Sequence, residues 1–273
     1  MKESQALSPK LTSDSPVLPK KCPVCGIYTN YVNRLTHEGE TTDWYRCNCG
    51  VIFQGEDPDY SVYNQEYLDA LVADKKYDAR AGYYSYVYGP IIEEETLGRK
   101  MLDVGCGIKS NMEHWKERGW LTWGVDFNKD ISPDKDIAKE DFLTFDPSKK
   151  LNTPEILSLA GVDRIEMKYD LIWMNQTFSC FKNPRLALAR CKDLLNDSGV
   201  LFISVPDIDF ITRVGLNGWP HWRSHEYKVL WSVTALKREL EKSGFSVALS
   251  RRNYAPRFSK WHDLHIIATK PYF

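Results

Sequence analysis

The tightest constraint in this chain is Met101-Leu102-Asp103-Val104-Gly105-Cys106-Gly107, followed by Gly124-Val125-Asp126. An apolar run ends in an acid, enters a glycine turn and leads into a helix. A second strand then ends in another acid. An α/β sheet builds a binding crevice in this way, at the carboxyl ends of its strands. Lys100 to Val104 reads as a short buried strand. Gly105 and Gly107 let the backbone turn tightly and approach a ligand with no Cβ in the way. Ser110-Asn111-Met112-Glu113 has the pattern of a capping box, so a helix is expected to begin there and to stop near Gly119. Leu121 to Val125 supplies the next strand. Asp126 sits at its tip, where a carboxylate can accept both hydroxyls of a ribose.

Nicotinamide enzymes call for G-x-G-x-x-G, and the third position here is Ser110. Asp-x-Gly-x-Gly at the end of a first strand instead resembles motif I of the class I S-adenosylmethionine (SAM) methyltransferases. Tyr169-Asp170-Leu171-Ile172, Leu194 to Ile203 and Ser243-Gly244-Phe245 extend the resemblance over about residues 99 to 273. It implies a Rossmann-like α/β sheet with an antiparallel last strand. It implies SAM as cofactor, with Asp103 near the amino group, Gly105, Cys106 and Gly107 under the methionine part, and Asp126 with Phe127 at the ribose. Asp141 with Phe142 would lie at the adenine, and Asn175 would close the set. The family often has a third glycine where this chain has Lys109, which could crowd the methionine end or contact its carboxylate.

The 273 residues suffice for one such domain plus a small module. The formal net charge of −1 argues against a broad nucleic-acid footprint. No apolar run is long enough for a membrane span, and Met1 to Lys21 lacks the apolar stretch of a secretory signal. Seven cysteines, four of them clustered, suit a reducing compartment with a metal site, and the cytoplasm is the expected location. Aromatic residues make up 13% of the chain, so a ring-binding site is worth seeking.

Four regions follow. Residues 1–21 are rich in Ser, Pro and Lys and read as a tail. Residues 22–55 hold Cys22-Pro23-Val24-Cys25-Gly26 and Cys47-Asn48-Cys49-Gly50. Each pair precedes a glycine, as in a knuckle that turns backbone amides toward thiolates. Four thiolates make a closed structural zinc site, and a module this small needs such a staple. The second pair is C-x-C rather than C-x-x-C, so His37 is an alternative fourth ligand. Residues 56–98 form a helical connector dense in tyrosine (Tyr77, Tyr83, Tyr84, Tyr86, Tyr88) that ends at Gly89-Pro90; it serves either as a lid or as packing. Residues 99–273 are the cofactor-binding domain. A cysteine knuckle ahead of a SAM domain resembles the bacterial and phage methyltransferases with an N-terminal zinc-binding domain. That resemblance implies nucleotide-linked sugars, polysaccharides or other small metabolites as acceptors.

Within the last region, Thr153-Pro154-Glu155 starts a helix. Tyr169 to Met174 is a strand, Asn183-Pro184 caps a helix, and Val200 to Val205 is a strand. Ser232 to Ser243 is an amphipathic helix. Phe245 to Leu249 and Leu264 to Thr269 form the final pair. Relatives commonly carry Glu-His where this chain has Ser179-Cys180, so the obvious base is missing there. Pro206 to Trp231 is longer than a simple connection needs, and such insertions are often substrate loops. It holds Trp219-Pro220-His221-Trp222-Arg223-Ser224-His225-Glu226-Tyr227. His225 first and His221 second are the candidate bases, since histidine titrates near neutrality; the alternative is that they pack against the tryptophans. The leading reading is O- or C-methylation of a small molecule or glycan. The alternatives are a methyltransferase acting on RNA or protein, and a non-catalytic SAM-fold subunit.

Overall fold

The computed structural model describes residues 10–11, 18–29, 31–37, 40–131, 134–149, 157–159, 162, 166–215, 219, 221–223, 225–253 and 262–271. The helix expected from Thr153 to Gly161 lies almost wholly outside them. The strands are β1 (Lys10–Leu11), β2 (Lys20–Lys21), β3 (Tyr28–Thr29), β4 (Tyr31–His37), β5 (Glu40–Arg46), β6 (Val51–Gln54), β7 (Lys100–Val104), β8 (Leu121–Val125), β9 (Ile137–Ala138), β10 (Tyr169–Asn175), β11 (Leu195–Pro206), β12 (Val229–Trp231), β13 (Ser246–Asn253) and β14 (Asp263–Thr269). The helices are α1 (Gln65–Ala73), α2 (Lys75–Glu95), α3 (Ser110–Glu117), α4 (Pro184–Leu194), α5 (Ile211–Val214) and α6 (Val233–Lys242).

A mixed seven-stranded sheet has the order β13-β14-β11-β10-β7-β8-β9. The register between β7 and β8 is parallel, with Asp103 beside Gly124 and Val104 beside Val125; β10 and β9 are parallel to their neighbours β7 and β8. This is the doubly wound arrangement that the strand–turn–helix pattern implies, and it brings the acid-tipped ends of β7 and β8 side by side.

The chain divides into two compact units. One comprises residues 64–174, 186–202 and 268–273. Its strands are near-continuous apolar runs because both faces are covered: Met101, Leu102, Leu171, Ile172 and Trp173 are fully buried. Aromatic side chains help to fill this core. Trp173 stacks on Phe202 at 3.7 Å, Trp115 meets Trp173 edge-on at 5.4 Å, and Tyr88 of α2 reaches Phe202 at 5.2 Å.

Helix α2 does not end at Gly89-Pro90. Proline in a helix interior removes a hydrogen bond and crowds the preceding turn, yet α2 runs through it to Glu95. Anchors on both sides decide the matter: Tyr88 and Ile92 are buried, and Glu93 takes a two-pronged bond from Arg118 at 3.0 and 2.7 Å plus one from the Trp120 indole at 3.2 Å. Gly89 is needed for that clamp, because a Cβ there would come within 2.4 Å of the Arg118 guanidinium.

The other unit comprises residues 1–63, 175–185 and 203–267. Its five-stranded sheet has the order β1-β4-β5-β6-β12. Within the stretch read as a tail, Lys10–Leu11 pairs with Leu35 and Thr36 of β4, and Lys20–Lys21 pairs with β3. The long insertion after β11 supplies β12, which pairs antiparallel with β6, Trp231 opposite Val51 and Val229 opposite Phe53. Its aromatics are therefore core, not an open recognition loop. Trp219, Trp222 and Tyr227 are buried in one cluster with Leu35, Trp44 and Ile52, and Trp44 meets Trp222 edge-on at 5.3 Å. The helix expected from Ser232 to Ser243 is α6, and Ser232 caps it: its side chain accepts from the Ala235 N–H.

Candidate functional site

The crevice at the ends of β7 and β8 is assembled by the glycine turn. Gly105 and Gly107 have φ of 74° and 49°, in the left-handed region that favours glycine. A Cβ on Gly107 would meet nothing within 4 Å, so conformation rather than crowding calls for the glycine. The reverse holds at Gly124, where a Cβ would lie 2.6 Å from the Cys106 sulfur. The Gly105 N–H donates to Val125 O at 2.8 Å, tying the turn to β8.

Asp103 is fully buried, and no hydrogen bond reaches either carboxylate oxygen among the described residues. Burial pushes its carboxyl up to about 8; the nearby Asn111 side chain draws it back and the charge of Asp126 pushes it further up. Asp126 is likewise raised by burial, against the pull of two backbone amides. The Gly107 N–H donates to its Oδ2 at 3.1 Å and the Asn128 N–H to its Oδ1 at 2.9 Å. These bonds orient the carboxylate and leave each oxygen a free lone pair. Part of Tyr77 reaches solvent, but burial pushes its hydroxyl up to about 12; Arg80 pulls it down, and Asp103 and Asp126 push it further up. Tyr77 thus shares the field of the two acids, and the sequence names it only as one tyrosine of the connector. Tyr67 and Leu68 of α1 pack in one cluster with Cys106, Ile108 and Met112.

The expected capping box at Ser110 is not formed. Lys109 is the cap residue, with φ 72° and no side-chain cap bond, and Ser110 is the first helical residue. The family's third glycine position is therefore left-handed here, and a lysine occupies it. Its Nζ pairs with Asp134 Oδ2 at 2.9 Å. Asp141 is exposed, and its Oδ1 accepts from the Leu143 N–H at 2.9 Å. Phe142 behind it is buried, while Phe127 is half-exposed.

Residues 175–185 belong to the other unit. Asn175 closes β10, and its Oδ1 is buried with no hydrogen-bond partner among the described residues. Gln176 has φ 64°; its N–H donates to Ser204 O at 2.9 Å and its Nε2 to Ser204 Oγ at 3.0 Å. The Tyr227 hydroxyl lies 3.5 Å from Gln176 Oε1. Where relatives have Glu-His, Ser179 is buried and Cys180 packs under the tyrosines, the Tyr60 hydroxyl donating to Cys180 O.

The two candidate bases differ. His221 is fully buried with its ring 5.2 Å from Trp219. His225 is partly exposed; its Nε2 lies 3.6 Å from Glu226 Oε1, which also accepts from Arg223 at 2.7 Å. Burial raises the Glu226 carboxyl, but the bond from His225 and the charge of Arg223 outweigh it and hold it below its usual range. His225 also lines a cleft of about 420 Å³ with Lys20, Arg34, Asp43, Glu56 and Asp57. The cations of that cleft are paired: Lys20 with Glu56 at 2.6 Å and Arg34 with Asp43 at 2.7 Å.

In the same unit, the sulfurs of Cys22, Cys25, Cys47 and Cys49 all lie within 4.8 Å of one another. Cys22 and Cys49 are 3.7 Å apart, Cys25 and Cys47 3.4 Å. Tetrahedral zinc with Zn–S of about 2.3 Å needs sulfurs about 3.8 Å apart, so the donor set fits that ion. Gly26 and Gly50 have φ of 77° and 92°, and their N–H groups close the turns onto Cys22 O and Cys47 O, each at 2.9 Å. The second knuckle rests on α6, where a Cβ on Gly50 would meet Ser232 Oγ at 3.1 Å. The His37 side chain lies outside the described residues.

Residues 66–250 match the family described as Methyltransferase domain. The chain belongs to that family. Among curated proteins, a 109-residue segment is 28% identical to the ubiquinone biosynthesis O-methyltransferase of Glaesserella parasuis serovar 5 (strain SH0165), covering 40% of this chain and 45% of that protein. The corresponding protein of Haemophilus ducreyi (strain 35000HP / ATCC 700724) is 30% identical with the same coverage. The chain thus spans about half the length of the curated relatives it matches. Among solved structures, the [4+2]-cyclase SpnF has a TM-score of 0.50 at 12% identity, over 80% of this chain and 98% of that one. The 1,6-didemethyltoxoflavin-N1-methyltransferase of Burkholderia thailandensis has a TM-score of 0.48 at 16% identity, over 84% of this chain and 99% of that one. The likeness to SpnF shows a shared fold alone, and the methyltransferase family rests on the match over residues 66–250. Function has to be argued from the site.

Proposed function

We propose that this protein uses SAM to methylate a hydroxyl or sugar carbon of a small molecule or glycan. The observation that carries the reading is the buried, unpartnered carboxylate of Asp103 beside the oriented carboxylate of Asp126. A buried carboxyl without a partner is costly, and an ammonium group beside it removes the cost. A carboxylate with free lone pairs at the tip of the adjacent strand suits a vicinal diol. SAM carries both groups, and when bound it supplies a methyl on a sulfonium, already activated for transfer. Gly105, Cys106 and Gly107 would lie under its methionine part, Phe127 at the ribose, Asp141 and Phe142 at the adenine, with Asn175 completing the set.

The protein's own task is then to orient the acceptor and remove its proton. His225 is our first candidate for the base, with the Glu226 carboxylate to stabilise its protonated form, and its edge opens on a cleft of ligand size. His221 is the second. The paired cations of that cleft disfavour a phosphodiester acceptor, because a polyanion needs cations free to meet it. Both curated relatives are named as O-methyltransferases acting in ubiquinone biosynthesis, which supports a small acceptor. The four cysteines hold a structural zinc ion in this reading, closed to substrate, and a chain whose cysteines form no disulfide suits the cytoplasm.

Two measurements test it. Purified protein is given methyl-labelled SAM and a fractionated extract. Label in the small-molecule or glycan fraction is expected; label in nuclease- or protease-sensitive polymer would overturn the acceptor class. Elemental analysis should find one zinc per chain, and Cys47→Ser should lose it together with the thermal stability of the knuckle; a metal-free native protein sinks the zinc assignment.

A further inference from the structure

We propose that the Lys109–Asp134 ion pair is a latch that holds the glycine turn in its cofactor-receiving shape, making both residues positioning residues for SAM. The proposal rests on the reading of the crevice as a SAM site.

Lys109 stands in a conformation that costs an L-residue energy. Its φ is 72° and ψ 4°. The backbone alone does not explain why a non-glycine residue is held there. Its N–H donates to Cys106 O at 2.9 Å and its carbonyl accepts from Glu113 N–H at 3.0 Å, bonds that glycine would make equally well. What glycine cannot supply is the ammonium. Lys109 Nζ reaches Asp134 Oδ2 at 2.9 Å, with both side chains about three-quarters buried (28% and 20% exposed).

That contact closes a circuit around the crevice floor. Asp134 Oδ1 accepts from the Asp136 N–H at 2.9 Å. Asp136 O accepts from the Gly124 N–H at 2.8 Å, inside β8. Two residues on, the Asp126 N–H donates to Ala138 O at 3.0 Å, and Asp126 Oδ2 accepts from the Gly107 N–H at 3.1 Å. From Gly107 the chain returns to Lys109. Every other link in the circuit uses at least one backbone group, so only the Lys109–Asp134 link depends on two side chains. Cutting it frees the turn from β9 and lets Lys109 relax from its left-handed conformation. The Gly107–Asp126 bond that aims the ribose-facing carboxylate then loses its support. Preorganisation of this kind raises affinity by removing an ordering cost from the binding step.

The test is S-adenosylhomocysteine titrated calorimetrically into the purified full chain and into Lys109→Ala, Asp134→Ala, the double variant and Lys109→Gly, each checked for cooperative thermal unfolding. Asp134→Asn replaces Asp134→Ala if the latter does not fold. Each single alanine variant is expected to weaken binding about fivefold, equivalent to about 1 kcal/mol. The double variant should be no weaker than the singles by more than about twofold, since one link is lost only once. Lys109→Gly should bind more tightly than Lys109→Ala, because glycine keeps the turn without strain. Unchanged affinity in both alanine variants overturns the latch and leaves the pair a stabilising contact only. Weakening in Lys109→Ala with none in Asp134→Ala overturns it in favour of a lysine acting alone. If the native protein itself fails to bind S-adenosylhomocysteine, the cofactor reading falls, an outcome distinct from failure of the latch.

Discussion

Asp103 concentrates the chemistry of the crevice in one side chain. Unfolded, its carboxyl ionises near 4; folded and desolvated, it holds its proton up to about 8. The folded chain therefore binds the extra proton between those values. The stability this group contributes is full below about pH 4 and is lost as pH rises toward 8. Unliganded protein is expected to lose melting temperature between roughly pH 4 and pH 8 more steeply than Asp103→Asn, which cannot titrate. Parallel curves would show that the proton is not held there. The same substitution should weaken SAM binding by a factor on the order of 10 to 100, since a charge-assisted hydrogen bond contributes about 1.5–3 kcal/mol. Below pH 8, binding should also release a proton, read as a dependence of the calorimetric heat on buffer ionisation enthalpy. Asp103, Asp126 and the glycines were legible in sequence because a turn this tight leaves few alternatives. The left-handed Lys109 and its partner Asp134 were not, because nothing local couples residues that far apart in the chain.

At the scale of elements, short-range physics placed β7 and β8 residue for residue and capped α6 at Ser232. It failed where distant contacts outweighed a local rule. Helix α2 passes through Pro90 because Arg118 and Trp120 both bind Glu93. Gly89→Ala tests that clamp: the added methyl would meet the guanidinium at 2.4 Å. Overpacking of this kind costs about 1–3 kcal/mol, so a lower denaturant midpoint at unchanged m-value is expected. A midpoint equal to the native one would mean that Arg118 moves aside freely. At the start of α3 a similar override occurs, the glycine turn extending to Lys109 and displacing the box expected at Ser110.

At the scale of the whole molecule, the insertion after β11 has a structural role that its composition does not reveal. It gives β12 to the sheet of β4, β5 and β6, and it buries Trp219, Trp222 and Tyr227 against Trp44. Truncation to residues 64–273 should therefore leave the methyltransferase domain insoluble or binding ANS, with the edge of β12 and an aromatic cluster uncovered. A soluble, cooperatively unfolding fragment would show that the insertion does not need the N-terminal strands.

The sequence by itself determined the strand–turn–helix crevice, its two acids and the two cysteine knuckles, because each is a short local motif whose residue types leave few alternative conformations. Only the tertiary structure decided which aromatics are core, that His221 is enclosed beside Trp219 while His225 opens on a cleft, and that Lys109 reaches Asp134. Those outcomes depend on which distant surfaces meet, and burial energy between segments far apart in the chain leaves no periodic mark within either of them.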